Sequence, residues 1–393
     1  MKIVVMGTGG VGGYFGARLA ASGADVTFVA RGEHLGAMQR DGLTILSANG
    51  DVTLKPVKAT DDPASVGHAE LIMIAVKLWS TEETANAIAP MMGPNSAVVS
   101  WQNGVIAEDI LIKQYGKARV IGGVSNIAAL IEAPGVIRHN GTMARLIFAE
   151  LDSASSQRID ELARLCKQAS IDHVISENIT RAIWQKFIFL ASFSGMTCAT
   201  RLPIGPVRSD PQTRAMLKSA LDEVVAVGRA KGVNLPDDQA EQSLAWADNL
   251  PPTMVASMLG DLNRGNRLEL PWLSGNVVKL GEALGVATPV HQFFYTVVGR
   301  YALHYFCFKN SAFILQKFIW VSWDIVFFND FCGKISIRNT YPIVEPFVAK
   351  MQVKFCKYFV PCVYMHGFRI HQNAVHIKDN SFYFFHGAIY AGN

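Results

Sequence analysis

The chain has 393 residues, half of them hydrophobic by type, a formal net charge of +4 and six cysteines. That length allows two domains with separate cores, and the moderate charge argues against gross disorder. No run of 18 or more apolar residues is free of charge, so no membrane span is expected, and the opening "MKIVVMGTGG" lacks the pattern of a secretory leader.

Charge and cysteine are unevenly placed. Residues 301–393 carry nine Lys or Arg against four Asp or Glu, a net +5, which leaves residues 1–300 at −1. A near-neutral body gives no electrostatic reason to expect a nucleic-acid partner. Cys166 and Cys198 are far apart without CxxC spacing, which reads as a reducing, cytoplasmic compartment.

In chain order, "KIVVMG" is a short β-rich run, followed by glycines and by "YFGARLAASG" with helical spacing and a glycine stop. "ADVTFVAR" reads as a second strand. "AELIMIAVK", "NSAVVSWQNG" and "KARVIGGVSN" are further runs of strand length, with helical stretches such as "TEETANAIAPMM" between them. This alternation predicts an α/β fold with a parallel, doubly wound sheet. "SSQRIDELARLCKQAS" then reads as helix and "DHVISEN" as one last strand. Helices are expected over 177–200, 210–232, 238–247, 252–263 and 271–284. The expected organisation is a Rossmann-type domain over 1–170, a mostly α-helical domain over 171–300 for substrate binding and homodimer formation, and an atypical tail over 301–393.

The tail holds 23 of the chain's 39 Phe, Trp and Tyr and neither strand nor helix periodicity persists in it. Its AT-rich codon types contrast with the Ala/Gly-rich body. It reads as a shifted or read-through frame without an evolved fold, or as an appended aromatic module. His366, His371 and His376 lie near Cys356 and Cys362, but so irregular a pattern does not suggest a metal site, and no metal is expected anywhere in the chain.

Gly7-Thr8-Gly9-Gly10-Val11-Gly12 closes the first strand and opens the first helix. Gly7 permits a tight turn, Gly9 lets the backbone approach a pyrophosphate, and Gly12 allows close helix–strand packing. The N–H groups of the helix start then face the phosphates. An NAD site places Asp or Glu at the end of the second strand to accept from the ribose 2′-hydroxyl. Here Arg31 stands there, and the acid Asp25 opens the strand instead. A guanidinium suits a 2′-phosphate, so NADP(H) is the expected cofactor; a solvated loop arginine is the plainer reading.

"RAIWQKFIFLASFSG" sets Lys186 in a run that otherwise reads as buried helix. Residues 186, 190 and 194 share a face: Lys186, Leu190 and Ser194. Either the lysine snorkels to water or it meets a partner. "AVKLWS" puts Lys77 just past a strand, at the carboxyl end where doubly wound sheets bind ligands, and "WQNG" puts Asn103 at the next such end. "SMLGDLNRGNRLEL" sets Glu269 among leucines, where a carboxylate wants a cation; Lys186 is one candidate.

Together "GTGGVGGYFGARLA", "AVKLWS", "WQNGV", "RAIWQKF" and "ASMLGDLNRGNRLEL", in that order, resemble the ketopantoate reductase family (2-dehydropantoate 2-reductase, the NADPH enzyme of pantothenate synthesis) over residues 1 to about 300. The resemblance implies a Rossmann domain followed by a helical domain with the active site in the cleft between. It implies that Lys186 is the catalytic lysine with Glu269 as its acidic partner near cofactor and substrate, that Asn103 contacts nicotinamide ribose and substrate, that Ser257 helps hold the substrate carboxylate, and that Ala128 in "SNIAAL" offers a backbone cofactor contact. The family pattern often has asparagines one and two turns after the lysine, binding substrate hydroxyl groups; this chain has Leu190 and Ser194 there, which the resemblance implies are substrate-contacting positions along with Lys186, Asn103 and Ser257. A site without those amides discriminates less well for a hydroxylated substrate. The expected reaction is reduction of 2-dehydropantoate to pantoate by NADPH. The alternatives are a same-family reductase of another small 2-oxo acid and a non-catalytic NADP(H) sensor.

Overall fold

The computed structural model describes residues 1–301 and the backbone of Val375–Lys378 and Ser381–Phe384. Met1–Gly299 form one compact unit and Arg300–Asn393 a second. Of the second unit's expectations, the His366/His371/His376 and Cys356/Cys362 grouping lies outside the described side chains.

The first unit opens with β1 (Lys2–Met6), α1 (Gly10–Ala21), β2 (Asp25–Val29) and α2 (Gly32–Asp41). Three short strands follow, β3 (Leu43–Leu46), β4 (Val52–Leu54) and β5 (Ala59–Thr60). Next come β6 (Ala69–Ile74), α3 (Thr81–Ala87), β7 (Met92–Ser100) and α4 (Ala107–Tyr115). The sheet runs β7-β6-β1-β2 in parallel toward its β5 edge. Met6 is level with Val29 and Ile74, and Ile74 with Ser100, so the four strands end at one edge. The Gly turn, Arg31, Lys77 and Asn103 all follow at that edge.

These strands are apolar on both sides because helices cover both faces. Ile3 and Val5 join Phe15, Phe28, Leu71, Met73 and Val99 on one face, while Val4 and Met6 join Ile72, Ile74, Val98 and Leu111 on the other.

The sheet is mixed rather than parallel throughout. β8 (Val120–Ala133) and β9 (Val136–Glu150) form a long antiparallel hairpin, and β4 is antiparallel to β3. The sequence predicts only the first half of β8 as strand and none of β9, because the polar and exposed hairpin arm breaks the apolar run. After α5 (Gln157–Gln168), β10 (Asp172–Ile175) pairs with β9, carrying the sheet past the expected boundary at about 170.

Helices alone follow among the described residues up to 301: α6 (Ile179–Thr200), α7 (Ile204–Ser209), α8 (Pro211–Ala230), α9 (Gln239–Asp248), α10 (Ser257–Arg264), α11 (Ser274–Leu284) and a last one beginning at residue 289. Asn178 caps α6, its side chain accepting from the Arg181 N–H at 2.9 Å. The helix is apolar almost all round because it is enclosed: it packs on β8 and β9 and on α7 to α11. Gly122 lets it approach the sheet, since a Cβ there would lie 2.6 Å from Ile179 Cγ1. Strands β11 (Val375–Lys378) and β12 (Ser381–Phe384) pair antiparallel in the second unit.

Candidate active site

The Gly turn is pinned to the end of β2. The N–H groups of Gly7 and Thr8 both donate to Val29 O at 3.2 Å, and Thr8 Oγ1 donates to the same oxygen at 3.1 Å. Gly7 has φ +95°, a conformation that a side chain resists. A Cβ on Gly12 would fall against Gly7 O, with Ala75 Cβ and Val5 Cγ1 each 2.9 Å away, so α1 touches the sheet there. A Cβ on Gly10 would run into the backbone of Ala129. Around Gly9 the situation is the reverse: apart from its own chain neighbours, nothing lies within 4 Å of where its Cβ would be. Gly9 is the N-cap of α1 and supplies no side-chain cap. The first turn of the helix thus keeps its N–H groups for a ligand, and the cradle fits a dinucleotide pyrophosphate. Val11 is half-buried in the same turn.

Arg31 is the N-cap residue of α2 and 73 % exposed; its Nη2 donates to Glu83 Oε1 at 3.0 Å. Asn103 lies in the loop after β7. That loop is locked by its neighbour Gln102, whose Nε2 donates to Val76 O and Thr81 Oγ1, both at 2.9 Å. Gly104, at φ +88°, lets the chain pass close to Leu78 and Trp272 O. Ala128 sits where the β8–β9 register shifts, a bulge that leaves backbone groups free of the ladder and the residue exposed.

The structure revises the expected partner of Glu269. Its direct cation is Lys77, not Lys186. Lys77 Nζ lies 3.3 Å from Glu269 Oε2 and 3.1 Å from Asp261 Oδ2, and the Leu78 N–H donates to Glu269 Oε1 at 3.1 Å. The physical reason is burial: Glu269 is 7 % exposed, and the loop after β6 brings both a cation and an N–H to it. Burial by itself would lower the Lys77 ammonium, but Glu269 and Asp261 outweigh it and hold it above the usual lysine range. Asp261 is held below the usual carboxylate range, because Lys77, Asn266 and Arg264 together overcome its burial.

Asp261 is a member of this group that the sequence reading did not single out. The signal was present as an acid eight residues before Glu269 in the same motif. Gly265 ends α10 in the left-handed region, which turns Asn266 back so that its Nδ2 donates to Asp261 Oδ1 at 3.1 Å. An aromatic pair also went unread. The Trp79 and Trp272 rings are 6.3 Å apart, and the Arg267 guanidinium lies over both, at 4.8 and 5.5 Å.

Lys186 neither snorkels freely nor pairs with a carboxylate. Its Nζ donates to Ser125 O in β8 at 2.5 Å, and Ser125 Oγ donates to Trp101 O at 2.9 Å, two residues before Asn103. Burial pushes the ammonium down to about 8, and the field of Glu269 partly opposes that fall. Leu190 is half-buried one turn further along. Ser194, two turns along, is 1 % exposed, and its hydroxyl has no hydrogen-bond partner among the described residues. Ser257 is exposed at the first position of α10, the helix that carries Asp261. The arrangement sets one titrating amine and one buried carboxylate beside the carboxyl edge of a sheet that carries a phosphate cradle, a combination suited to proton transfer during reduction of a carbonyl. Among the described residues no group of His, Cys, Asp and Glu could hold a metal, and no helix is long and apolar enough to cross a membrane.

Comparison with known proteins agrees with this layout. Residues 3–153 match the family model of ketopantoate reductase PanE/ApbA, and residues 178–302 match that of its C-terminal part. A 2-dehydropantoate 2-reductase of Mesorhizobium japonicum is 30 % identical, covering 79 % of this chain and 100 % of its own. The uncharacterized oxidoreductase YkpB of Bacillus subtilis is 29 % identical over 77 % of this chain and 99 % of its own. The crystal structure of a PanE/ApbA family ketopantoate reductase from Ralstonia eutropha JMP134 superimposes with a TM-score of 0.71 at 31 % identity, covering 77 % of this chain and 98 % of that one. The chain belongs to the ketopantoate reductase family of oxidoreductases.

Proposed function

We propose that the protein reduces a small 2-oxo acid at its ketone carbon with NADPH, and that the substrate is 2-dehydropantoate, giving pantoate for pantothenate and coenzyme A synthesis. Lys186 carries the reading: a half-buried amine brought down to about 8, with a carbonyl as its hydrogen-bond acceptor, suits a group that donates a proton near neutral pH. When bound, the reduced nicotinamide supplies the hydride. Lys186 stabilises the charge that grows on the carbonyl oxygen and then protonates it. Glu269 favours the charged form of Lys186 through its field and, held by Lys77 and Leu78, keeps a fixed place. Asn103 contacts ribose and substrate, the Ala128 backbone contacts the cofactor, and Ser257 holds the substrate carboxylate. Arg31 binds the 2′-phosphate.

Leu190 favours a second reading, a 2-oxo acid without the hydroxyl group of 2-dehydropantoate. It presents no donor on the face that Lys186 shares, and Ser194 is closed off. A non-catalytic NADP(H) sensor would have no use for a lowered amine beside a buried carboxylate. The two cysteines of residues 1–300, free and buried, with thiols pushed up to about 12 by burial, suit a cytoplasmic enzyme.

The test is NADPH consumption with a panel of 2-oxo acids, wild type against Lys186→Ala. Turnover of 2-dehydropantoate that collapses in the variant supports the reading. Turnover only with apolar 2-oxo acids moves the assignment to the second reading, and NADPH binding without turnover of any of them ends both.

A further inference from the structure

The ion pair between Arg31 and Glu83 lies across the Gly turn. β1 carries that turn and is flanked in parallel by β2 and β6, with Met6 level with Val29 on one side and Ile74 on the other. Arg31 comes from the chain just past β2, and Glu83 comes from the first turn of α3, past β6. Their 3.0 Å contact therefore spans the end of the strand between them. The end of β2 is where doubly wound dinucleotide sites read the adenosine ribose.

We propose that Glu83 is a specificity-determining residue, which sets how strongly this site prefers a 2′-phosphorylated dinucleotide over an unphosphorylated one. The inference rests on the reading of Arg31 as the phosphate ligand. The carboxylate that an unphosphorylated ribose needs is absent from the carboxyl end of β2, whose one acid, Asp25, opens the strand. It is delivered instead from α3, a helix start where the backbone dipole favours an acid regardless of Arg31. One carboxylate and one guanidinium thus share the place where the 2′-substituent arrives.

The two ligands ask opposite things of that pair. A 2′-phosphate needs the whole fork of Arg31 and is repelled by Glu83. A 2′-hydroxyl offers a donor to Glu83, which Arg31 already orients. Both side chains are mostly exposed, 73 % and 62 %, and an exposed pair of this kind is weak, so either ligand can rearrange it. Arg31 alone would give a strict preference; Arg31 with Glu83 gives a moderated one.

Equilibrium binding of adenosine 2′,5′-bisphosphate and of 5′-AMP, measured by calorimetry, reads the preference without turnover. Glu83→Gln should tighten the bisphosphate and leave 5′-AMP unchanged or weaker, moving the ratio toward the bisphosphate by roughly three- to tenfold. Glu82→Gln, which alters a neighbouring charge not paired with Arg31, should move it less. A Glu83→Gln ratio within twofold of wild type, alongside an Arg31→Ala ratio that falls, overturns the role of Glu83 and leaves Arg31 standing. An Arg31→Ala ratio that does not change overturns both.

Discussion

Lys77 clasps Glu269 across 192 positions of sequence: its Nζ lies 3.3 Å from Oε2, while the next residue's N–H donates to Oε1. The sheet edge thus holds the carboxylate, and Lys186 feels it only as a field. Lys77→Met should leave Glu269 without its cation and misplace it. Displacements of about 1 Å at such sites cost roughly 10²-fold, and kcat/KM should fall on that scale. Steady-state kinetics with saturating NADPH measures it.

Removing the field should also move the titration of Lys186. Glu269 raises that amine against the larger lowering by burial, so Glu269→Gln should let it fall further below about 8. The alkaline limb of the pH profile for reduction should shift to lower pH in the variant. A limb shifted upward would contradict the assigned sign.

Two glycines three residues apart should fail differently. Gly12→Ala would drive a methyl group into Gly7 O and the sheet beneath it, an overpacking that costs roughly 1–3 kcal/mol, and Tm should fall. Gly9→Ala meets nothing within 4 Å beyond its chain neighbours, so Tm should hold while dinucleotide affinity drops. Thermal unfolding and NADPH titration of the two variants check the pair.

Arg31→Ala should raise the KM for NADPH and narrow the preference over NADH, because an exposed guanidinium at the N-cap of α2 loses its role only for the phosphorylated cofactor. Leu190→Asn should return an amide to the face of α6 that carries Lys186. It should raise kcat/KM for 2-dehydropantoate relative to a 2-oxo acid of similar size without the hydroxyl, by several-fold or more. Competition assays with paired substrates give both ratios.

The sequence carried more of the parallel core than of its margins. Runs such as Leu71 to Ile74 are apolar without a break because both faces are covered, so they announce themselves as strands. The β8–β9 arm does not, since Ala128, Leu130 and Ile131 are exposed and the polar stretch around Asn140 to Met143 sits opposite the bulge at Ala128. The groups of the site were legible one by one, each at the end of a strand or inside an apolar helix. Their pairing was not, because Glu269 could choose between two lysines and only folding brings Lys77 nearer. Ser194 shows the same gap: it shares helical spacing with Lys186, yet the packing of later helices closes over it.

The pH dependence of kcat/KM for reduction tests the role of Lys186 as proton donor most directly. A donor must start protonated, so the rate should be level below the titration of the amine and fall as pH rises through about 8, and Lys186→Ala should lose both the rate and that limb. Turnover that survives in Lys186→Ala with the same alkaline limb as wild type would contradict it.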